Sequence, residues 1–359
     1  MNRSLFDVID QGIANLYPGY FALVMATGII SIAAHLLLLV VIANILLVIN
    51  LAAYIILWLL FLIRIFRYPA RLMDDFKSFG KSAGFFTTVA GTCVLGSQLV
   101  ILKSWNQAAS ILFLFGIGLW VVLIYLFFQS RITEEAKPSL ETGISGAWMV
   151  VVVATQSISV LGSIIAPTFS QNQEYLLFFT LFMYLLGCML YLLLFTLIFY
   201  RLLYFRLSAE ALSPTYWISM GAVAITTLAG DRLMLNSSLW PFLSDLFPFV
   251  QSFTLFFWTF ATWLIPLLVI LGTWRHWVKR YPIRYHPEYW SLVFPLGMYT
   301  VSTLLLAKST HLEFLEVIPQ FFIYIALAAW LAALSGLAIH LFKSLNDSNS
   351  AVLRARKRE

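Results

Sequence analysis

Long runs of apolar residues, separated by short polar breaks, follow one another along nearly the whole chain. A helix needs about 20 apolar residues to cross a bilayer, and each run supplies roughly that number. The breaks divide the chain into ten predicted spanning helices, at residues 18–37, 41–63, 82–102, 108–129, 143–166, 174–200, 214–235, 248–273, 289–308 and 317–342. The pattern therefore predicts an all-α polytopic membrane protein.

The ten predicted helices are of two kinds, which alternate along the chain. Even-numbered helices consist almost entirely of Leu, Ile and Phe, whereas odd-numbered helices contain small and hydroxylated residues, as in ATQSISVLGS at 154–163. Small residues let helices approach closely, and buried hydroxyls need partners. We interpret the alternation as five helical hairpins whose odd helices surround a central pore and whose even helices face lipid. Alternatively, the small residues mediate tight packing without any pore.

The composition excludes a soluble protein and indicates an orientation. Apolar residues make up 61% of the chain and charged residues 11%, whereas soluble domains are about 25% charged. Of the 22 lysines and arginines, 19 fall on the side of the membrane that also holds both chain ends. The positive-inside rule makes this side cytoplasmic. We predict a cytoplasmic (plasma) membrane protein with an amphipathic cytoplasmic N-terminus at 1–17, a transport domain at 18–342 and a basic cytoplasmic tail at 343–359.

The sequence carries no nucleotide-binding, dinucleotide-binding or zinc-protease motif. We therefore expect a protein that is not an enzyme and that has no cofactor, metal or nucleic-acid partner. The odd helices also have no ionisable residue away from their ends. Ion-coupled carriers usually keep such a residue inside the membrane. A polar, uncharged path with basic residues at its cytoplasmic mouth favours the passage of anions.

Six segments resemble, in order over nearly the whole chain, the tellurite-resistance/C4-dicarboxylate transporter family, which includes the plant slow anion channels. They are YPGYFALVMATGIISIA (17–33), FFTTVAGTCVLGSQ (85–98), GAWMVVVVATQS (146–157), YWISMGAVAITTLAG (216–230), FWTFATWLIPLLVILGTWRH (257–276) and YWSLVFPLGMYTVST (289–303). The resemblance implies five hairpins around a pore, a homotrimer, and a phenylalanine on the ninth helix that plugs the pore. Phe294 matches that phenylalanine, and Pro295 and Gly297 beside it are hinge candidates.

Candidates for the pore lining are small, hydroxylated, amide or aromatic residues of the odd helices. They are Phe21, Thr27, Phe86, Thr87, Gly91, Thr155, Gln156, Gly221, Thr226 and Thr300. The Gln156 amide either donates to an anion or forms an interhelical hydrogen bond. Arg232, at the outer end of the seventh helix, either forms an outer anion mouth or pairs with Asp231 to fix a loop.

We predict that the protein moves small inorganic anions or C4-dicarboxylates across the lipid membrane through a channel-like pore gated by Phe294. The alternative is a proton-coupled secondary carrier for a C4-dicarboxylate, sulfite or a tellurite-type oxyanion. The lack of an intramembrane carboxylate argues against the carrier, although Glu288 or His286 at the inner mouth could exchange protons.

Overall fold

The structure is a computed structural model that describes residues 5–169 and 171–356, with side chains for 9–169 and 171–343. Within these residues the chain forms helices and no strands, and ten helices are long and apolar enough to span a bilayer. This confirms the predicted all-α polytopic fold. We number the spanning helices α1 (Pro18–Leu36), α2 (Val40–Arg67), α3 (Ser82–Lys103), α4 (Asn106–Thr133), α5 (Gly146–Thr168), α6 (Gln173–Tyr204), α7 (Pro214–Leu235), α8 (Phe247–Val278), α9 (Pro287–Thr310) and α10 (Glu313–Lys343).

Both ends of the described chain lie on one side of the bundle, called here the terminal side. A short amphipathic helix, Leu5–Ala14, precedes α1 and packs against the last helix. A second short helix, Pro69–Lys77, connects α2 to α3. The last helix continues beyond α10 to Arg356, so the predicted tail at 343–359 begins within a helix. Its last three residues, like residues 1–4 of the predicted N-terminus, lie outside the described residues.

The five odd-numbered helices form a closed inner ring, as the alternation in the sequence predicts. Each packs against the next in the order α1, α3, α5, α7 and α9, and α9 returns to α1. Buried residues make up 83–94% of the most apolar window in these helices and 22–56% in the even-numbered ones. Glycines permit the close approach: a Cβ on Gly28 would lie 2.7 Å from the Val94 side chain. The even-numbered helices therefore form the outer shell.

The outer helices close the gaps between neighbouring inner helices through side-chain hydrogen bonds. Each outer helix packs against the inner helix of its own hairpin and also against the next inner helix. Four of these gaps are bridged by a hydrogen bond between an aromatic side chain and a threonine: Tyr54 with Thr92 (3.0 Å), Trp120 with Thr155 (2.9 Å), Trp258 with Thr303 (3.0 Å) and Trp330 with Thr27 (3.0 Å). The last of these joins α10 to α1 and completes the circle.

Removing one of these bonds is expected to loosen the ring without changing its architecture. Trp120→Phe deletes the indole N–H that donates to Thr155 Oγ1. Side-chain hydrogen bonds between membrane helices contribute about 0.6–1.7 kcal/mol, so we expect a lower unfolding temperature in detergent, measured by size-exclusion chromatography after heating. Trp277→Phe is the control because Trp277 is 81% exposed. Equal unfolding temperatures for the two variants would contradict this role for Trp120.

Candidate axial transport site

A narrow cavity of about 20 Å³, with room for about one water molecule, lies on the axis of the ring, and every inner helix contributes to its wall. Most of the lining side chains are aliphatic, and the polar ones are Ser97, Ser157 and Arg232. Both serine hydroxyls also donate to carbonyls of their own helices, to Cys93 O at 3.0 Å and Val153 O at 2.7 Å. Arg232 is therefore the one charged group on this wall within the described residues.

The cavity-lining residues recur three or four positions apart, so each inner helix presents one continuous face to the axis. On α7 they are Ile225, Leu228 and Arg232, and on α9 they are Met298 and Val301. One turn closer to the terminal side, the same two faces carry Gly221 and Phe294.

The structure brings Phe294 and Gly221 together at the terminal-side end of the cavity. A Cβ on Gly221 would lie 3.3 Å from Phe294 Cδ1, and the phenylalanine is only 1% exposed. On the neighbouring inner helices, the corresponding faces carry Met25, Ala90 and Val153, all of them buried. The Phe294 ring is therefore buried in a tightly packed layer, and the lack of a side chain at Gly221 makes room for both Pro295 and Phe294.

Arg232 and Asp231 lie at the opposite end of the ring and do not pair with each other. Asp231 is fully buried, and its Oδ1 accepts a hydrogen bond from Ser309 Oγ at 3.0 Å. Among the described residues, Asp231 forms no salt bridge with Arg232, and the buried Arg232 Nε has no hydrogen-bond partner. The loop-fixing pair offered as an alternative in the sequence is therefore not formed, and the arginine lines the cavity instead.

Half of the predicted lining residues are directed toward the outer shell. The Thr27 and Thr155 hydroxyls accept from Trp330 and Trp120 on outer helices. Gln156 Nε2 donates to Tyr184 O of α6 at 3.1 Å, which is the interhelical bond given as its alternative role. The two aromatic candidates pack against outer-helix rings, Phe21 against Tyr54, Trp58 and Phe61, and Phe86 against Phe127.

The remaining candidates and hinges, apart from Gly221, are used in packing between or within helices. Three threonines donate to carbonyls: Thr87 to Gly84 O (2.7 Å) and Pro18 O (3.2 Å), Thr226 to Ala222 O (2.7 Å) and Thr300 to Leu296 O (2.8 Å). Gly91 abuts Phe21 O and Gly297 abuts Ile29 and Ile30, so both glycines face α1. Pro295 lies within the continuous helix Trp290–Thr310.

Ser97 and Ser157 are therefore the hydroxyl residues on the wall of this cavity, and the ten predicted lining residues stay a prediction for the path as a whole. A hydroxyl in an apolar bundle needs an acceptor, and a carbonyl one turn earlier or an outer-helix partner is nearer than the axis. The wall of the cavity is left to branched aliphatic residues. These aliphatic residues could have been identified in the sequence by their spacing of three and four residues, which all five odd helices share. Phe294 follows the same spacing on α9.

A closed ring of buried helices around an axial cavity, surrounded by lipid-facing helices, defines a membrane transport protein. The chain belongs to the voltage-dependent anion channel family (SLAC1), which it matches over residues 15–338. This match confirms the family resemblance seen in the sequence.

Relatives of the chain include transporters from distant organisms. An uncharacterized transporter of Methanocaldococcus jannaschii is 26% identical over 329 residues, which cover 90% of this chain and 94% of the relative. An uncharacterized membrane protein of Mycobacterium tuberculosis is 40% identical over 150 residues, 41% of this chain and 75% of the relative. A sulfite efflux pump of Arthroderma benhamiae is 25% identical over 362 residues, 92% of each.

Proposed function

We propose that the protein is a channel-like pore that conducts small anions along the axis of the inner ring. The observation that carries this proposal is the position of Arg232, the one charged group on the described wall of a mostly aliphatic cavity. A fixed positive charge in a low-dielectric cavity attracts anions and repels cations. The aliphatic wall offers no carboxylate or ring of carbonyls that would replace the hydration shell of a cation.

Phe294 is the proposed gate of this pore. Its buried ring lies one turn from the cavity-lining Met298 on the same face of α9, and we expect rotation or displacement of the ring to open the path. A narrow apolar constriction excludes water and therefore ions. Gly221 supports this role because a side chain at this position would crowd the ring and restrict its movement.

The terminal side is proposed to be cytoplasmic, as the distribution of lysine and arginine indicates. A membrane potential that is negative inside then drives a monoanion outward by about 2.3 kcal/mol per 100 mV, so the pore would export anions without a fuel. We propose small inorganic anions and short carboxylates as substrates. Sulfite is one of the proposed substrates because the Arthroderma relative is named a sulfite efflux pump. The homotrimer and the C4-dicarboxylate and tellurite substrates stay predictions from the family resemblance.

The second candidate is the proton-coupled carrier. Asp231 favours it because the structure buries this carboxyl group completely, with one oxygen bonded to Ser309 and the other unpartnered. An intramembrane carboxyl of this kind is a common element of proton relays.

Reversal potentials separate the two candidates. We would reconstitute the purified protein in planar bilayers and record currents across asymmetric potassium chloride, potassium sulfite and potassium malate. A pore gives ohmic unitary currents that reverse near the equilibrium potential of the anion. Silent bilayers, together with liposome uptake that collapses with the pH gradient, would refute the pore and support the carrier.

Asp231→Asn tests the same choice within the protein. The asparagine oxygen can still accept from Ser309 Oγ, but the side chain no longer exchanges a proton. The proposed pore does not use proton exchange at this side chain. We therefore expect anion currents within about twofold of the parent protein, a difference of less than about 0.5 kcal/mol. Abolition of pH-driven uptake by this variant, with the protein still monodisperse, would favour the carrier.

A further inference from the structure

A repeated arginine clamp holds the terminal side of the bundle together. The outer helices α2, α4 and α6 each end in a buried arginine whose guanidinium donates to a backbone carbonyl in the segment that precedes the inner helix of the same hairpin. The clamps join Arg64 to Leu16 O (2.7 Å), Arg131 to Lys77 O (2.8 Å) and Arg201 to Glu141 O (2.7 Å). Each of these guanidinium groups therefore donates to a backbone carbonyl within the protein, although Arg131 Nη1 is buried without a partner.

Arg275 occupies the same place on α8 but has no such partner. It lies in a π-helical turn, Trp274–Val278, a geometry often found at functional sites. The side chain is 8% exposed and stacks on the Tyr281 ring, with Cζ 4.5 Å from the ring centroid. Within the described residues its guanidinium has no ion pair, and its buried Nε has no hydrogen-bond partner. A buried, unpartnered cation of this kind is costly.

A polar cavity of about 520 Å³ opens beside this guanidinium on the terminal side. Its wall also carries Arg284, His286 and Ser213. The cavity wall also carries two carboxylates. Glu288 Oε2 lies 3.8 Å from His286 Nδ1, and Glu210 is exposed. Within the described residues neither Arg275 nor Arg284 forms a salt bridge with these carboxylates, and the planar fork of a guanidinium fits two oxygens of a phosphate.

Two apolar grooves adjoin this polar cavity and extend along the spanning helices. The first is lined by Trp217, Leu268, Leu271 and Leu292 of α7, α8 and α9. The second is lined by Leu292, Val293, Ala329 and Ile339 of α9 and α10. Tyr289 borders the polar cavity and both grooves. One polar cavity with two apolar grooves matches the shape of a diacyl phospholipid, with its phosphate at the membrane surface.

We propose that this site binds an anionic phospholipid of the leaflet on the terminal side. The phosphate lies on Arg275 and Arg284, and the two acyl chains occupy the grooves between α7, α8, α9 and α10. Basic pockets between spanning helices are known binding places for lipid head groups. Burial raises the pKa of the Tyr285 phenol on the cavity wall, so this hydroxyl stays protonated and can donate to the phosphate. The site is independent of the axial cavity and of the transport proposal.

Native mass spectrometry of the detergent-purified protein tests the proposal. The probes are dioleoyl-phosphatidylglycerol, dioleoyl-phosphatidylcholine and inorganic phosphate, titrated separately. We expect phosphatidylglycerol adducts in preference to phosphatidylcholine and a higher unfolding temperature with phosphatidylglycerol alone. Equal binding of both lipids would overturn the proposal. If inorganic phosphate raises the unfolding temperature equally, the ligand of the cavity is a free anion rather than a lipid, and the proposal is overturned as well.

Variants assign the binding to the cavity. Arg275→Gln is expected to weaken phosphatidylglycerol binding about tenfold or more, because a hydrogen bond to a charged group contributes about 1.5–3 kcal/mol. The control, Arg280→Gln, removes an exposed charge from the same loop outside the cavity and should bind as the parent does. If Arg275→Gln does not yield folded protein, Arg284→Gln replaces it, because the Arg284 side chain is exposed. If the variant that is tested, Arg275→Gln or Arg284→Gln, binds phosphatidylglycerol as tightly as the parent protein does, the proposed site is refuted.

Discussion

Replacing Phe294 with alanine is expected to raise anion flux about tenfold or more. The ring fills the layer between the axial cavity and the terminal side, and it packs against Gly221. Its truncation leaves an opening in that layer, and a barrier lowered by only 1.4 kcal/mol corresponds to a factor of ten in rate. The measurement is chloride efflux from liposomes, normalised to the amount of monodisperse protein that was reconstituted.

Phe86→Ala is the matched control for this experiment. Phe86 is also a fully buried phenylalanine on an inner helix, but its ring contacts Phe127 on the outer helix α4. Both truncations cost about 3–5 kcal/mol of stability, so both variants are compared at a temperature at which they remain folded. Efflux that rises equally in the two variants would indicate general loosening of the bundle and would remove Phe294 from the gate.

Loss of the Arg232 charge is expected to weaken the preference for anions. Two unit charges 4 Å apart interact by about 4 kcal/mol near a protein surface, so removal of even a part of this attraction changes permeability ratios strongly. We expect Arg232→Gln to lower the chloride-to-potassium permeability ratio about tenfold, and Arg232→Glu to lower it further. Reversal potentials across a potassium chloride gradient measure this ratio.

Lys308→Gln is the control for Arg232→Gln. Lys308 lies on the same side of the bundle and carries the same charge, but its side chain is exposed rather than directed into the axial cavity. Its replacement should leave the reversal potential unchanged. A parent-like reversal potential in Arg232→Gln, or an equal shift in both variants, would mean that selectivity arises elsewhere along the path.

The proposed lipid-binding site and the Trp–Thr bonds were not predicted from the sequence, for a common reason. Arg275 reads in sequence as one more basic residue at the end of a span, like Arg131 and Arg201. Only the packed structure shows that those two donate to backbone carbonyls and that Arg275 does not. Likewise, Trp330 and Thr27 form a hydrogen bond although 303 positions separate them in the chain, and no local pattern relates them.

The sequence by itself determined the number of spanning helices, their division into inner and outer sets, and the family. These properties follow from composition, because a helix rich in Gly, Ser and Thr packs among other helices and a helix of Leu, Ile and Phe tolerates lipid on most of its surface. Phe294 also came from the sequence, through the family resemblance. The structure adds that it shares a face with cavity-lining Met298.

Only the tertiary structure decided which face of each inner helix is directed toward the axis. Hydroxyl and amide groups suggested a polar path in the sequence, but their hydrogen bonds go to backbone carbonyls and to the outer helices. The energetic reason is that a polar group buried in an apolar bundle is stable only next to a partner. The positions of those partners are set by closure of the ring, which rotates the aliphatic stripes and Arg232 inward.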